Sequence, residues 1–371
     1  MAARESTAIA IPGARRVTQW VVFASVCLPA VCAAQSFQLD LRMVAEKAIT
    51  SGMIGISHGV QLANGRFLFV DRRARSILAA DLATGDVDTL GRIGEGPNEY
   101  RGPAFAVPDG VGGALVPDDA LGRALSVSGT GELRGVRFSR LELGGANPVF
   151  LGRMNRDGSV YIAKRPPEGG RDSLQIVRWH FEAKPPNTVA WWPMVPVKLG
   201  PKFTGADGRV GQAIIAPSPW APRTTWVVLP NEAIAIVRPE PYRVDIVNPD
   251  GTRINGQAVE YQPVEIDAKM KAVFRKERGP IEDEDFPRAL PRFEGLDDVI
   301  ASDRNEIWVE RQRSPLDSMT VYDIFDRTSR RVGTARLQAF SHVVGFGPGV
   351  VYVARQEQDD GYWYLERFRR P

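Results

Sequence analysis

The feature that most constrains the fold of this chain is a unit of strands and turns that recurs from residue 59 to the C-terminus. Its first copy has a short strand at 59–62, a turn at Asn64-Gly65, a strongly apolar strand at 67–70, a charged loop, and a third strand at 76–80. The first turns of the later copies lie around Asp109, Asp157, Asn231, Asp303 and Gly347. Successive turns are 45, 48, 74, 72 and 44 residues apart, so two intervals carry an insertion of roughly 27 residues.

The second strand of each copy is strongly apolar, as expected for a strand that is buried on both faces. These strands occupy residues 67–70, 114–116, 160–162, 234–237, 307–309 and 350–353. Short alternating or β-branched runs bounded by Gly, Pro, Asn and Asp dominate the rest of the chain and indicate an all-β protein. A period near 45 residues is typical of a four-stranded blade, so the six copies predict a six-bladed β-propeller. A pair of β-sandwiches or an open solenoid is the alternative.

The sixth copy lacks its fourth strand. Residues 362–365 and Phe368 supply its third strand, and the sequence stops at Pro371. Residues 37–41 alternate apolar and polar side chains, so we expect this N-terminal strand to pair with the last blade and close the ring. The predicted propeller is a single domain over residues 35–371.

Two insertions interrupt the repeat, at about residues 185–222 and 265–294. The first is rich in Pro and Gly and is predicted to be a long loop whose aromatic side chains pack on the ring. The second contains apolar residues at helical spacing, which predicts one short helix at 265–279, between blades 4 and 5. The acidic run at 282–285 is interpreted as a solvated surface, with Ca²⁺ binding as the alternative.

Residues 1–34 have the pattern of a secretory signal peptide. A pair of arginines precedes an apolar run at 20–33, and the segment ends in small residues. The run has about 14 residues, fewer than the roughly 20 that a membrane-spanning helix needs. We therefore predict a secreted or periplasmic protein with no transmembrane segment after processing, and a retained membrane anchor is the alternative. Both cysteines, Cys27 and Cys32, lie in this segment, so the mature chain has no thiol.

The overall charge excludes one class of partner. The chain has 47 Lys and Arg against 44 Asp and Glu, a formal net charge of +3, which is too small for binding to nucleic acid through bulk charge. We therefore predict no nucleic-acid partner, and we expect a monomer.

Three motifs of established chemistry are absent from the sequence: the His-Glu-x-x-His motif, the phosphate-binding Gly-x-x-x-x-Gly-Lys-Ser/Thr loop and a complete EF-hand loop.

One segment carries a family resemblance. After the first copy the sequence reads Gly91-Arg-Ile-Gly-Glu-Gly-Pro-Asn-Glu-Tyr100. This resembles the Gly-Arg-x-Gly-x-Gly-Pro-Gly-Glu-Phe signature of bacterial secreted six-bladed β-propeller proteins related to the NHL-repeat group, with Asn98 and Tyr100 in place of Gly and Phe. The resemblance implies the propeller fold and export over nearly the whole mature chain.

Two functions are open for such a chain. The first is a ligand-binding or protein-interaction module of unknown specificity. The alternative is a propeller enzyme of the lactonase or lyase type, in which a metal would lie at the mouth of the channel. The sequence does not decide whether the protein is an enzyme.

Two of the three histidines are expected in one sector of the channel mouth. In an up-and-down blade, the start of the first strand and the loop between the second and third strands lie on the same face. His58, His342 and the pair Asp297-Asp298 lie near the strand starts of blades 1, 6 and 5, which are neighbours in the ring. Two imidazoles and a carboxylate, here His58, His342 and Asp298, can bind a divalent metal or transfer protons near neutral pH. The alternative is that each histidine only satisfies backbone groups at a strand start.

A cation follows the second strand directly in five of the six copies. These candidate ligand-binding residues are Arg73, Arg165, Arg238, Arg311 and Arg355. Guanidinium groups bind carboxylates and phosphates through paired hydrogen bonds, so this face predicts an anionic partner: a small molecule, a glycan or a peptide. Salt bridges between blades, with partners such as Asp71 and Glu310, are the alternative explanation.

Overall fold

Each copy of the repeat forms one antiparallel sheet, with four strands from each of the first five copies and three from the sixth, so the protein is a six-bladed β-propeller, as predicted. The structure is a computed structural model, and it describes residues 37–40, 47–139, 151–164, 173–180, 187–193, 198–204, 210–215, 222–278, 280–314, 317–357, 359 and 361–370.

The N-terminal segment and the first three blades precede residue 194. The N-terminal strands are β1 (Phe37–Asp40) and β2 (Lys47–Met53). Blade 1 contains β3 (Val60–Gln61), β4 (Phe67–Asp71), β5 (Ser76–Ala80) and β6 (Val87–Leu90), and the short strands β7 (Arg92–Ile93) and β8 (Glu99–Tyr100) follow it. Blade 2 contains β9 (Val107–Pro108), β10 (Ala114–Asp118), β11 (Arg123–Val127) and β12 (Leu133–Ser139). Blade 3 contains β13 (Leu151–Met154), β14 (Val160–Lys164), β15 (Ser173–Trp179) and β16 (Asn187–Pro193).

The second half of the chain forms blades 4 to 6. A hairpin of β17 (Lys198–Thr204) and β18 (Val210–Ile215) comes before blade 4, which contains β19 (Thr225–Val228), β20 (Ile234–Pro239), β21 (Tyr242–Val247) and β22 (Arg253–Ile254). Blade 5 contains β23 (Val299–Ala301), β24 (Ile307–Glu310), β25 (Met319–Phe325) and β26 (Arg331–Gln338). Blade 6 contains β27 (Ser341–Gly347), β28 (Val350–Gln356) and β29 (Trp363–Arg369).

The first strand of each blade is the innermost one. These strands contact each other around the ring, β9 with β13, β13 with β19, β19 with β23, β23 with β27 and β27 with β3. Blades 1 and 2 are joined by the main-chain N–H of Ala106, which donates to the carbonyl of His58 at 3.1 Å. The starts of the six innermost strands therefore share one rim of a central channel.

The N-terminal part of the chain closes the ring, but through a different strand from the one expected. The predicted strand, residues 37–41, does not pair with the last blade: β1 pairs in parallel with β26 and extends the outer edge of blade 5. Instead β2 pairs with β29, with Ile49 opposite Leu365, and completes blade 6. Ile49 and Met53 are buried in the core that blades 1 and 6 share, so β2 contributes the apolar burial that ring closure needs.

The second strands form the core between blades. Every residue of β4, β10 and β24 is buried. At the contact of blades 1 and 6, the rings of Phe67 and Tyr352 stack with centroids 4.1 Å apart. A Cβ added at Gly59 or at Gly345 would lie 2.6 Å from the Phe67 ring, so glycine at these positions lets the two blades approach.

The first insertion is shorter than predicted and contains strands. Trp191 and Trp192 belong to β16, the outer strand of blade 3. Trp192 is buried in the same apolar cluster as Trp226 of blade 4, so this aromatic side chain does pack on the ring. The hairpin of β17 and β18 occupies much of what was expected to be a loop.

The second insertion contains the predicted helix, α1 (Ala268–Arg278), between blades 4 and 5. Met270 is buried with Phe286 in a small separate core. The acidic run supports this helix, because Asp283 lies 2.6 Å from Arg275 and 3.3 Å from Lys271. Among the described residues, no helix is long and apolar enough to cross a membrane.

The loop at residues 91–100 is braced by its own glutamate. β7 and β8 pair in parallel, and the carboxylate of Glu99 accepts the N–H of Gly96 at 2.8 Å. A Cβ at Gly94 would lie 2.6 Å from the carboxyl carbon of Glu99, so the glycines make room for this carboxylate. Arg123 of blade 2 donates to three carbonyls of the loop. The signature segment therefore fastens blade 1 to blade 2.

Candidate functional site

A central channel with a volume of about 870 Å³ is lined by residues of all six blades. The innermost strands contribute Val60, Val107, Gly152, Val227, Val299 and Phe346. The rim at the strand starts carries polar side chains: His58, Arg72, Glu294, Asp297 and Asp298. A cavity of this size with a small number of polar groups fits a small molecule. We call this rim the channel mouth.

His58 is at the channel mouth, directly before β3. Its imidazole lies close enough to Asp297, at the start of blade 5, for the charge of that residue to act on the pKa of His58. Burial lowers the pKa of His58, and the nearby charge of Asp297 opposes this effect without reversing it. The imidazole is therefore neutral at pH 7 and carries one hydrogen-bond donor and one acceptor.

His342, at the start of blade 6, is held by Glu310 of blade 5. Its Nδ1 lies 2.9 Å from Oε2 of Glu310, and the hydroxyl of Tyr322 donates to the same oxygen at 2.6 Å. Burial disfavours the imidazolium, but the charge of Glu310 and this hydrogen bond outweigh it, so the pKa of His342 is raised. The main-chain N–H of Val343 donates to the Tyr322 oxygen at 2.9 Å, which fixes the tyrosine between the two blades.

Asp298 contributes a carboxyl group from blade 5. Its Oδ2 accepts the main-chain N–H groups of Glu294 at 2.6 Å and Gly295 at 2.9 Å. Burial, reinforced by the charge of Glu310, raises the pKa of Asp298 to about 7. Both protonation states of this carboxyl are therefore populated near neutral pH.

Glu310 connects the residues expected at this site. Its charge acts on the pKa values of His58, Asp298 and His342. We call these four residues, His58, Asp298, Glu310 and His342, the mouth cluster. Two carboxyl groups and two imidazoles in this arrangement can donate and accept protons near neutral pH.

The sequence indicated Glu310 only as a possible salt-bridge partner of arginines. One feature of the sequence could have pointed to it: three of the apolar second strands, β4, β10 and β24, end in a carboxylate, namely Asp71, Asp118 and Glu310. Asp71 and Asp118 bind main-chain N–H groups, those of Ile54 at 2.8 Å and Gly102 at 2.9 Å. Glu310 binds side chains instead, and this difference marks it as part of the site.

The three residues predicted to bind a metal are not brought together as a ligand set in the described part of the chain. Within the described residues, which include His58, Asp298 and His342, no group of three or more His, Cys, Asp or Glu side chains could hold a metal ion. Two of these side chains bond to protein groups: Asp298 accepts two main-chain N–H groups, and His342 pairs with Glu310.

Ser57 lies in the sequence Gly-Ile-Ser-His-Gly at residues 55–59, which matches the Gly-x-Ser-x-Gly pattern of nucleophile elbows. Such an elbow joins a strand to a helix, whereas Ser57 precedes a strand and is buried. Its hydroxyl donates to the carbonyl of His58 at 3.2 Å and accepts the N–H of Val70 at 3.3 Å. Ser57 therefore has a structural role.

Three of the five predicted arginines form ion pairs inside their own blade. Arg238 pairs with Asp245, Arg311 with Asp323, and Arg355 with Glu366. Arg73 is exposed, and Arg165 lies outside the described residues. The arrangement is closer to the salt-bridge alternative, with partners in the same blade rather than in the next one.

Comparison with known proteins assigns no activity to this chain. No protein-family model matches the sequence, and no curated protein matches it significantly. Similar solved structures include a member of the DUF4221 family from Bacteroides vulgatus (9% identity, TM-score 0.49, 88% of this chain and 97% of that chain). Others are a gluconolactonase from Xanthomonas campestris (11%, 0.46, 86% and 89%) and virginiamycin B lyase from Staphylococcus aureus with quinupristin (10%, 0.43, 87% and 97%). At these identities and TM-scores, no ligand or reaction carries over to this chain.

Proposed function

We propose that this protein is exported and binds a small, polar, uncharged ligand at its channel mouth. The observation that carries the proposal is the mouth cluster: His58 and Asp298 line a channel of about 870 Å³, and Glu310, whose charge acts on both, is hydrogen-bonded to His342. Ligand sites of roughly 300–1,000 Å³ commonly combine apolar walls with a few such polar groups. Export rests on the signal-peptide pattern of residues 1–34.

An uncharged ligand is favoured because two carboxylates at or next to the mouth, Glu310 and Asp297, face a cationic side chain. Glu310 faces His342, whose raised pKa favours the imidazolium. Asp297 lies 3.6 Å from Arg72. These pairs present donors and acceptors with little net charge, which suits hydroxyl or amide groups, as in a glycan fragment. An anionic ligand has less support at this mouth.

Histidine NMR tests the proposal, because the chain has three histidines. A panel of neutral oligosaccharides should contain a binder that shifts the ring signals of His58, which lines the cavity. His180 lies 3.6 Å from Asp157 on the outer part of blade 3 and does not line the channel, so its signal should stay unchanged. His58→Ala should weaken binding about tenfold, because His58 lines the cavity, and His180→Ala is the matched control. A panel without a binder, or binders that leave the His58 signal unshifted, would contradict the proposal.

A second candidate function is general acid–base catalysis at the same mouth. It is favoured by Asp298, because a carboxyl with a pKa of about 7 beside a second carboxylate is typical of catalytic groups. Asp298 would exchange a proton with a substrate held at the cavity, without a metal. Asp298→Asn should then abolish turnover of a neutral lactone or glycoside while binding persists. Equal turnover by the variant would leave binding as the function.

A further inference from the structure

A second cluster of charges lies between blades 4 and 5, away from the channel. Asp323 on β25 has no exposed surface, and three arginines pair with it, Arg292 and Arg311 at 2.8 Å and Arg331 at 2.7 Å. None of these arginines lines the channel cavity. Three guanidinium groups around one carboxylate leave an excess of two positive charges.

Asp323 cannot accept further hydrogen bonds. Its Oδ2 takes Arg292 and the hydroxyl of Tyr242, and its Oδ1 takes Arg311 and Arg331. A carboxylate offers about four acceptor positions, whereas three guanidinium groups carry about fifteen N–H donors. Most donors therefore point elsewhere, and Nε of Arg311 is buried with no hydrogen-bond partner in the described part of the chain.

No second carboxylate forms an ion pair with these arginines among the described residues. Among the ion pairs of the described residues, Arg292, Arg311 and Arg331 have Asp323 as their one carboxylate partner. Burial disfavours the charge on Asp323, yet the arginines hold its pKa below the usual value. The excess is therefore positive at every physiological pH.

The arginines are ordered and partly open to solvent. The rings of Tyr242 and Tyr261 lie 5.5 Å and 4.9 Å from the Arg292 guanidinium and fix it in place. The side chains of Arg311 and Arg331 are 26% and 34% exposed, whereas Asp323 is closed off. An ion arriving from solution therefore meets the guanidinium groups and not the carboxylate.

We propose that Arg292, Arg311 and Arg331 form an oxyanion site that takes phosphate, sulfate or the same group on a larger ligand. Guanidinium groups bind such oxygens through paired, charge-assisted hydrogen bonds, and partial burial strengthens the attraction. Asp323 positions the three arginines and does not touch the anion. The site is separate from the mouth cluster, so it stands whether or not the channel binds a ligand.

Calorimetric titration with inorganic phosphate, sulfate and acetate, at an ionic strength held constant with sodium chloride, tests the site. Phosphate and sulfate should bind, and Arg331→Gln should weaken both about tenfold. Arg355→Gln is the matched control, because Arg355 pairs with two carboxylates, Glu357 and Glu366, so this cluster has no excess positive charge. Its affinity should equal that of the unchanged protein. Acetate distinguishes a planar carboxylate ligand from a tetrahedral one.

Two results would overturn the proposal: no binding of phosphate or sulfate, or equal weakening in the Arg331 and Arg355 variants. Arg331 is the first residue of β26 and its side chain is one-third exposed, so circular dichroism should show an unchanged fold after its replacement. A second measurement needs no variant. Crystals soaked in selenate should give an anomalous peak within hydrogen-bonding distance of Arg311 and Arg331, and a peak elsewhere only would also refute the site.

Discussion

Replacing Asp298 by Asn should remove part of the pH dependence of stability. In the folded protein the pKa of Asp298 is about 7, against an ordinary value of 3.8, because burial and the charge of Glu310 disfavour the carboxylate. The folded state therefore keeps a proton that the unfolded chain has released between these pH values. Unfolding releases that proton, so stability falls as the pH rises through this window and levels off above it.

The size of this loss of stability follows from the one proton that unfolding releases between pH 5 and pH 7. At about 1.4 kcal/mol per unit, the unchanged protein should lose about 2–3 kcal/mol of unfolding free energy through this group. The amide oxygen of Asn can still accept the N–H groups of Glu294 and Gly295, so the local fold persists. His342 has a raised pKa, so its contribution is also lost as the pH rises through its folded value; Asp298 is the smallest cause of that shift, so this contribution changes little in the variant.

Urea denaturation at pH 5, 6, 7 and 8 measures the effect. Between pH 5 and 7 the unfolding free energy of Asp298→Asn should fall by about 2–3 kcal/mol less than that of the unchanged protein. At pH 8 the variant should be the more stable of the two. Asp297→Asn is the control, because Asp297 is adjacent in sequence but exposed, and should keep the original slope. Parallel curves for Asp298→Asn and the unchanged protein would refute the assignment of a protonated carboxyl at the mouth.

Three further substitutions test the site and the fold. Glu310→Gln should move the pKa of His342 from above its ordinary value to below it, because burial is then opposed only by the smaller effect of the Asp298 charge, and an NMR titration that shows no decrease would contradict this. Ile49→Ala should reduce the unfolding free energy by about 2–5 kcal/mol, because Ile49 is buried in the closing strand, and a loss under about 1 kcal/mol in denaturant melts would argue against closure by β2. Gly59→Ala should cost about 1–3 kcal/mol or more, because its Cβ would meet the Phe67 ring at 2.6 Å. Gly295→Ala meets open space and should be neutral, so equal thermal shifts for the two would refute the packing argument.

The blade architecture could be predicted because burial leaves a local pattern. Each second strand packs against a neighbouring blade on both faces, so it is apolar along its length, and the pattern repeats at about 45 residues. Helix α1 was predictable for the same reason, since Met270 and its neighbours bury one face. The place of His58 and His342 on one rim followed from counting residues along strands of known direction.

The sequence by itself therefore determined the number of blades, the buried strands and the rim on which the histidines lie. Only the tertiary structure decided which strand closes the ring, because β1 and β2 both carry apolar residues and the choice depends on a contact between Ile49 and Leu365, about 300 residues apart. It also decided that Glu310 links the mouth cluster and that three arginines share Asp323. Such interactions depend on distance and burial among side chains from separate blades and loops, and no pattern of neighbouring residues records them.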